Sequence, residues 1–226
     1  MGANPPLERS NPSDPPAIFD RLFDWAVAAF LGITGLLSAL VGGSLYSFID
    51  RADVAGTVAA SEFRSEVLTE TEVVDLLLAV SQWVGLGLVV LGALAGAVGV
   101  AVVVANGRAR RAGRPTPRWI LGLVGAMVGA LLAFVPLSPA LGGAIAGYLD
   151  HDPAVSGLGV GTVAGLFAAL PVVVLTLSVG AGLVDGLPPG LVPAAMAILA
   201  VATLGSLAYL VGLSAVGGYL GRRGGD

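Results

Sequence analysis

Residues 76–105 read LLLAVSQWVGLGLVVLGALAGAVGVAVVVA, and no side chain between Asp75 and Arg108 can ionise. An apolar run of roughly 18 residues or more is long enough to cross a hydrocarbon core of about 30 Å as a helix. A membrane β-strand would instead switch between apolar and polar residues over about ten positions. This run is continuously apolar, so it reads as a transmembrane helix and excludes a barrel.

The same pattern extends outward. From Asp75 to the C-terminus, charge is confined to an arginine cluster, the triplet Asp150-His151-Asp152, a single Asp185 and the last few residues. Of the 226 residues 56% are hydrophobic and 12% charged, about half the charged share of a soluble domain. Mean hydropathy is +0.91. Cysteine is absent, which excludes disulfides, thiolate nucleophiles and cysteine-based metal sites. All eleven basic residues are arginine.

Met1 to Asp24 is proline-rich and lacks the basic start of a secretory signal, so it reads as a flexible cytoplasmic tail. A first span follows from Trp25 to Ile49. The connection 50–75 is acidic (Asp50, Asp53, Glu62, Glu66, Glu70, Glu72 and Asp75 against Arg51 and Arg64). Gly56, Ala59, Ala60, Phe63 and Val67 recur at helical spacing there, predicting a short amphipathic helix on the membrane surface. Thr69-Glu70-Thr71-Glu72 has the pattern of a capping box, placing the second helix start near Glu70. With residues 25–105 as a helix pair, the loop 106–118 carries Arg108, Arg110, Arg111, Arg114 and Arg118. Arginine excess in a short loop marks the cytoplasmic side and attracts anionic lipid headgroups.

Both termini then lie inside and the acidic loop outside. Residues 119–226 form a glycine-rich bundle of four segments: Trp119–Val135, the short Ala140–Leu149 after Pro136 and Pro139, Val155–Val184 with a kink expected at Pro171, and Leu191–Leu220. The fold expected is thus all-α and polytopic, with six membrane segments, one of them short and proline-broken. The alternative is five spans with 119–149 as a single kinked helix, which leaves Arg222-Arg223 on the outer face.

Gly157, Gly161, Gly165 and Ala169 recur every four residues and make a small-residue stripe on one helix face; Gly143 and Gly147 repeat that spacing. Lipid provides no hydrophobic drive between helices, so close backbone approach along such stripes carries their association. These six are the expected packing residues, within the chain or between chains. Three helix ends also resemble one another, each placing a tyrosine (Tyr46, Tyr148, Tyr219) after small residues.

Residues that perform chemistry are scarce. No ionisable group falls in an apolar core, against ion-coupled transport. The lone His151 has no partner for a catalytic triad, and Asp150-His151-Asp152 reads as a solvated turn in preference to a metal site. Ser138, Ser156, Thr162, Thr176, Ser178, Thr203, Ser206 and Ser214 could line a path, but hydroxyls in helices commonly bond back to their own backbone. No catalytic, metal-binding or cofactor-binding residue is assigned, and no cofactor is expected.

The segment Leu137-Ser138-Pro139-Ala140-Leu141-Gly142-Gly143-Ala144-Ile145-Ala146-Gly147-Tyr148-Leu149, followed by Gly159-Val160-Gly161-Thr162-Val163-Ala164-Gly165-Leu166, resembles a haloarchaeal family of small multi-pass membrane proteins of unknown function. The resemblance covers about residues 119–226, and its four-segment pattern favours six segments here. It implies no activity and no functional residues. The reading is therefore a non-enzymatic cell-membrane protein, a structural or accessory subunit of a membrane assembly, with a passive channel or carrier for a small neutral solute as the alternative. Its expected partners are the lipid bilayer and either further copies of the chain or other membrane subunits, with no nucleic acid.

Overall fold

A computed structural model describes residues 17–61, 67–150 and 157–224. The tail before residue 17, the part of the expected surface helix at 62–66, and His151, Asp152 and Ser156 lie outside the described residues. Among those described there are seven helices and no strand: α1 (Ala17–Phe48), α2 (Arg51–Ala60), α3 (Glu70–Arg111), α4 (Arg118–Leu131), α5 (Ser138–Leu149), α6 (Gly157–Gly186) and α7 (Val192–Arg223). Four of them, α1, α3, α6 and α7, are long and apolar enough to cross a membrane. At 1.5 Å per residue the shortest of the four, the 30-residue α6, is about 45 Å long and exceeds the core thickness.

Helix ends follow local chemistry. Thr69 closes the capping box: its hydroxyl accepts from the Glu72 backbone N–H at 3.3 Å, and its own N–H donates to the Glu72 carboxylate at 2.7 Å. At the far end α3 runs six residues beyond the expected Ala105, because Arg108, Arg110 and Arg111 suit the negative end of the helix dipole. It stops in a Schellman turn. Gly113 adopts φ +62°, its N–H bonds the Arg110 carbonyl at 3.1 Å, and the Arg114 N–H reaches the Ala109 carbonyl at 2.9 Å. Pro171 does not interrupt α6, and Asp185 belongs to that helix and not to the following turn. Short α2 lies on the first turns of α3 through Val58, Val73 and Val74.

Glycine positions give the directions of the helices. Gly35 and Gly42 of α1 meet Gly92 and Gly85 of α3 backbone to backbone, so this pair is antiparallel. Gly182 and Gly186 of α6 sit against Val80 and Leu76 of α3, again antiparallel. Gly161 and Gly165 of α6 meet Ser214 and Val211 of α7. Gly125 and Gly129 of α4 face Gly142 and Ser138 of α5, so 118–149 is a hairpin and not one kinked helix. The starts of α1, α4 and α6 therefore share one face with the ends of α3, α5 and α7. Val27, Val102, Ile120 and Leu123 form a buried cluster that ties this face together, flanked by Trp119 and Phe167 with ring centroids 6.5 Å apart.

Charge is largely sorted by face, with Asp24 and Asp150 on the arginine side. Arg21, the five loop arginines and Arg222-Arg223 lie on the face just described. Asp50, Asp53, Glu70, Glu72, Asp75 and Asp185 lie on the other, where Arg51 pairs with Asp75 at 2.5 Å. That pair is about half exposed on both sides and contributes little stability.

Candidate functional site: a half-depth hairpin clasped by the last helix

The α4–α5 hairpin is the part of the fold with unusual backbone. At 14 and 12 residues its arms reach about 21 and 18 Å, short of a core of about 30 Å. Pro136 cannot donate a backbone hydrogen bond and lies between α4 and α5. Pro139 sits in the first turn of α5, where no intrahelical donor is needed and a continuous helix through it would clash. The turn is held by the Val135 N–H on the Leu132 carbonyl at 2.8 Å and the Ser138 N–H on the Val135 carbonyl at 2.9 Å. Its tip lies beside the middle of α7, because the Tyr209 hydroxyl donates to the Pro136 carbonyl. One turn further along, the Ser214 hydroxyl donates to the Pro139 carbonyl at 2.9 Å. Irregular backbone at membrane depth needs such partners, and α7 supplies them.

Below the tip the helices interlock. Gly143 and Gly147 of α5 lie on the backbone of Ser214 and Gly218, while Gly217 and Gly221 of α7 lie on that of Ala140 and Ala144. These two helices are parallel, so the similar endings Gly147-Tyr148 and Gly218-Tyr219 are side by side. From the other flank Gly161 also reaches Ser214, and Gly157 also reaches Gly218. Ser214 and Gly218 are thus where α5, α6 and α7 meet, and Ser214 is 2% exposed. Gly165 packs on Val211, and Ala169 is buried one turn higher. A Cβ on Gly143, Gly147, Gly157, Gly161 or Gly165 would fall within 3.0 Å of backbone atoms of α7.

Above the tip this contact ends. A notch of about 530 Å³ opens there, lined by Val172 of α6 and by Ala202, Gly205, Ser206, Tyr209 and Leu210 of α7. The hydroxyls considered as path-lining groups mostly turn to their own helices: Thr162 to Leu158, Ser178 to Val174, Thr203 to Leu199 and Ser206 to Ala202. Ser214 is the one of these described bonds that crosses between helices.

At the arginine-bearing face, Arg108, Arg110, Arg111, Arg114 and Arg118 are all exposed, and Arg110 pairs with the buried Asp24. Asp24 is 3% exposed, and its other oxygen accepts from the Asn106 amide at 2.5 Å. α1 begins at Ala17, before the expected Trp25, so Asp24 is held in helix against the end of α3. Sequence reasoning missed this network, although Asn106 and Arg110 stand four apart on one helix face. It missed the Tyr209 clasp as well, whose signal is a tyrosine in mid-span, far from where Tyr46, Tyr148 and Tyr219 sit. Asp150 is 6% exposed, more buried than a solvated turn implies. Among the described residues, no three His, Cys, Asp or Glu side chains are grouped to hold a metal ion.

Residues 119–223, the hairpin together with α6 and α7, are similar to a family of unknown function, DUF5518. The α1–α3 unit lies outside the matched region. No curated protein and no solved structure matches the chain.

Proposed function

We propose that this chain is a non-catalytic structural or accessory subunit of a cell-membrane assembly, with the notch above the hairpin tip as its docking seat. The observation that carries the reading is the uneven cover of α7. Its basic-face half is clasped by α5 and α6, whereas none of its most apolar 18-residue window is buried. Ile198, Val201 and Leu204 there are each more than two-thirds exposed. A partner helix, from a second copy or another subunit, would fit beside them and continue the layer that the hairpin leaves half-filled. Small residues at the notch, Ala202 and Gly205, allow close approach of such a helix.

In this reading α4 and α5 are two of six membrane segments that enter and leave on one side. The positive-inside rule puts the arginine-rich face and both termini in the cytoplasm and the acidic face outside. The all-arginine basic complement fits a haloarchaeal source. Gentle detergent extraction followed by native mass spectrometry tests the subunit role. Retained copies or partners are expected, and a strictly monomeric particle at native expression level refutes it.

A second reading is a passive path for a small neutral solute. The feature that favours it is the Pro136 carbonyl at the tip of a broken helix, because discontinuous helices expose backbone to solutes in transporter folds. Flux of neutral solutes into proteoliposomes supports it; no flux across a broad panel excludes it.

A further inference from the structure

Where α6 and α7 approach the acidic face they separate, and a second cavity opens. At the basic end their glycines touch backbone, but a Cβ on Gly180 would meet only the ends of the Leu199 and Met196 side chains, each at 3.4 Å. These larger residues hold the helices apart and leave a groove of about 630 Å³ lined by Trp83, Thr176, Gly180, Met196, Leu199 and Thr203. That volume is within the range of about 300–1,000 Å³ typical of small-molecule sites. From Thr176 to Asp185 the groove runs about 14 Å along α6, close to half the thickness of a hydrocarbon core.

Asp185 stands at its outer mouth, where its carboxylate accepts from the Trp83 indole N–H at 3.2 Å. The same Asp185 also borders a polar recess of about 470 Å³ with Glu72, Asp75 and Gln82. An apolar groove at leaflet depth and an acid-lined recess at the surface therefore share one carboxylate. The recess has three acids, and among the described residues Arg51, paired with Asp75, is the basic residue on this face.

We propose that the two cavities form one binding site for a single-chain amphiphile with a cationic head. The alkyl chain lies between α6 and α7, and the ammonium group rests against Asp185 and the acidic recess. Charge complementarity selects this occupant: an anionic headgroup would meet three carboxylates against one arginine, and a neutral one would leave the excess negative charge of the recess uncompensated. The site shares no lining residue with the notch, although Leu204 at its edge also belongs to the proposed docking face, and it does not depend on the proposed subunit role.

The test uses the full-length chain in dodecyl maltoside with Trp25 and Trp119 replaced by Phe, so that Trp83 is the only tryptophan and is excited selectively over the four tyrosines. Quenching of Trp83 by a chain-brominated dodecyltrimethylammonium is compared with quenching by the equally brominated sulfate and maltoside. Saturable quenching is expected for the ammonium at concentrations about fivefold lower than for either counterpart, the ratio an exposed charge pair supports. Asp185→Asn should abolish that preference while leaving chain-dependent quenching, and Gly180→Leu, which fills the groove, should remove saturable quenching by all three probes. Equal quenching by the three headgroups, or an unchanged preference in Asp185→Asn, overturns the proposal and leaves an ordinary lipid-filled groove. If Gly180→Leu does not fold, the headgroup comparison and Asp185→Asn decide the matter alone.

Discussion

Replacing Gly147 with alanine tests the hairpin clasp most directly. The added Cβ would fall within 3.0 Å of the Gly218 carbonyl oxygen, carbon and Cα, all backbone atoms that cannot rotate away. Ordinary contact begins near 3.4 Å, so α5 and α7 must part by about 1 Å. A shift of that size stretches the 2.9 Å bond from Ser214 to Pro139 beyond hydrogen-bonding range. Forcing a methyl into a close-packed contact costs about 1–3 kcal/mol, and an interhelical hydrogen bond in a membrane protein is worth about 0.6 kcal/mol. Alanine's better helix propensity returns up to about 1 kcal/mol. The net expectation is a loss of about 1–2.5 kcal/mol.

Gly212→Ala on α7, the other helix of the clasp, is the control, since its Cβ would meet nothing within 4 Å. It should be neutral or stabilising by up to about 1 kcal/mol, which separates the two variants by about 1–3.5 kcal/mol. Reversible unfolding in mixed dodecyl maltoside and SDS micelles measures the difference. Equal stability of the two variants would refute the argument, because the helix-propensity gain is common to both and only the clasp differs.

Three further outcomes are expected. Arg110→Ala strands the buried Asp24 carboxylate and should destabilise by up to about 3 kcal/mol, while Arg114→Ala, on an exposed loop, should change the same unfolding curve by less than about 0.5 kcal/mol. Ser214→Ala, which leaves the Pro139 carbonyl without its α7 donor, should cost about 0.6–1.7 kcal/mol, and a matching Ser206→Ala, whose hydroxyl bonds only within its own helix, should cost less. In a chain with no native cysteine, Leu187→Cys should react with an impermeant maleimide only from outside the cell and Arg114→Cys only from inside; the opposite pattern refutes the proposed orientation.

The long helices were legible because each requirement is local. Residues 76–105 carry no ionisable side chain, Thr69 and Glu72 are three apart, and Pro136 and Pro139 remove two donors at a fixed place. Composition alone leaves open where those elements go. Trp119 to Leu149 fits a kinked helix as well as a hairpin until Gly125 is seen against Gly142. Helix limits moved for a similar reason. The expected starts and stops followed charge, but Asp24 enters the packed end of the bundle, where the exposed Arg110 offsets its charge.

What the sequence determines by itself is the secondary structure and its polarity: the apolar runs are long enough as helices to cross a membrane, and the charges mark two surfaces. Glycine spacing also marks which faces can pack closely, since a helix carries its small residues at fixed angles whatever surrounds it. Only the tertiary structure decides which stripes meet. Gly143 and Gly161 come from different helices and share one carbonyl on Ser214, and Tyr209 finds Pro136 across 73 residues of chain. Such pairings depend on the lateral order of the helices and their relative depth. Glycines on several helices satisfy the same steric condition, so the choice among them is made by the whole bundle at once.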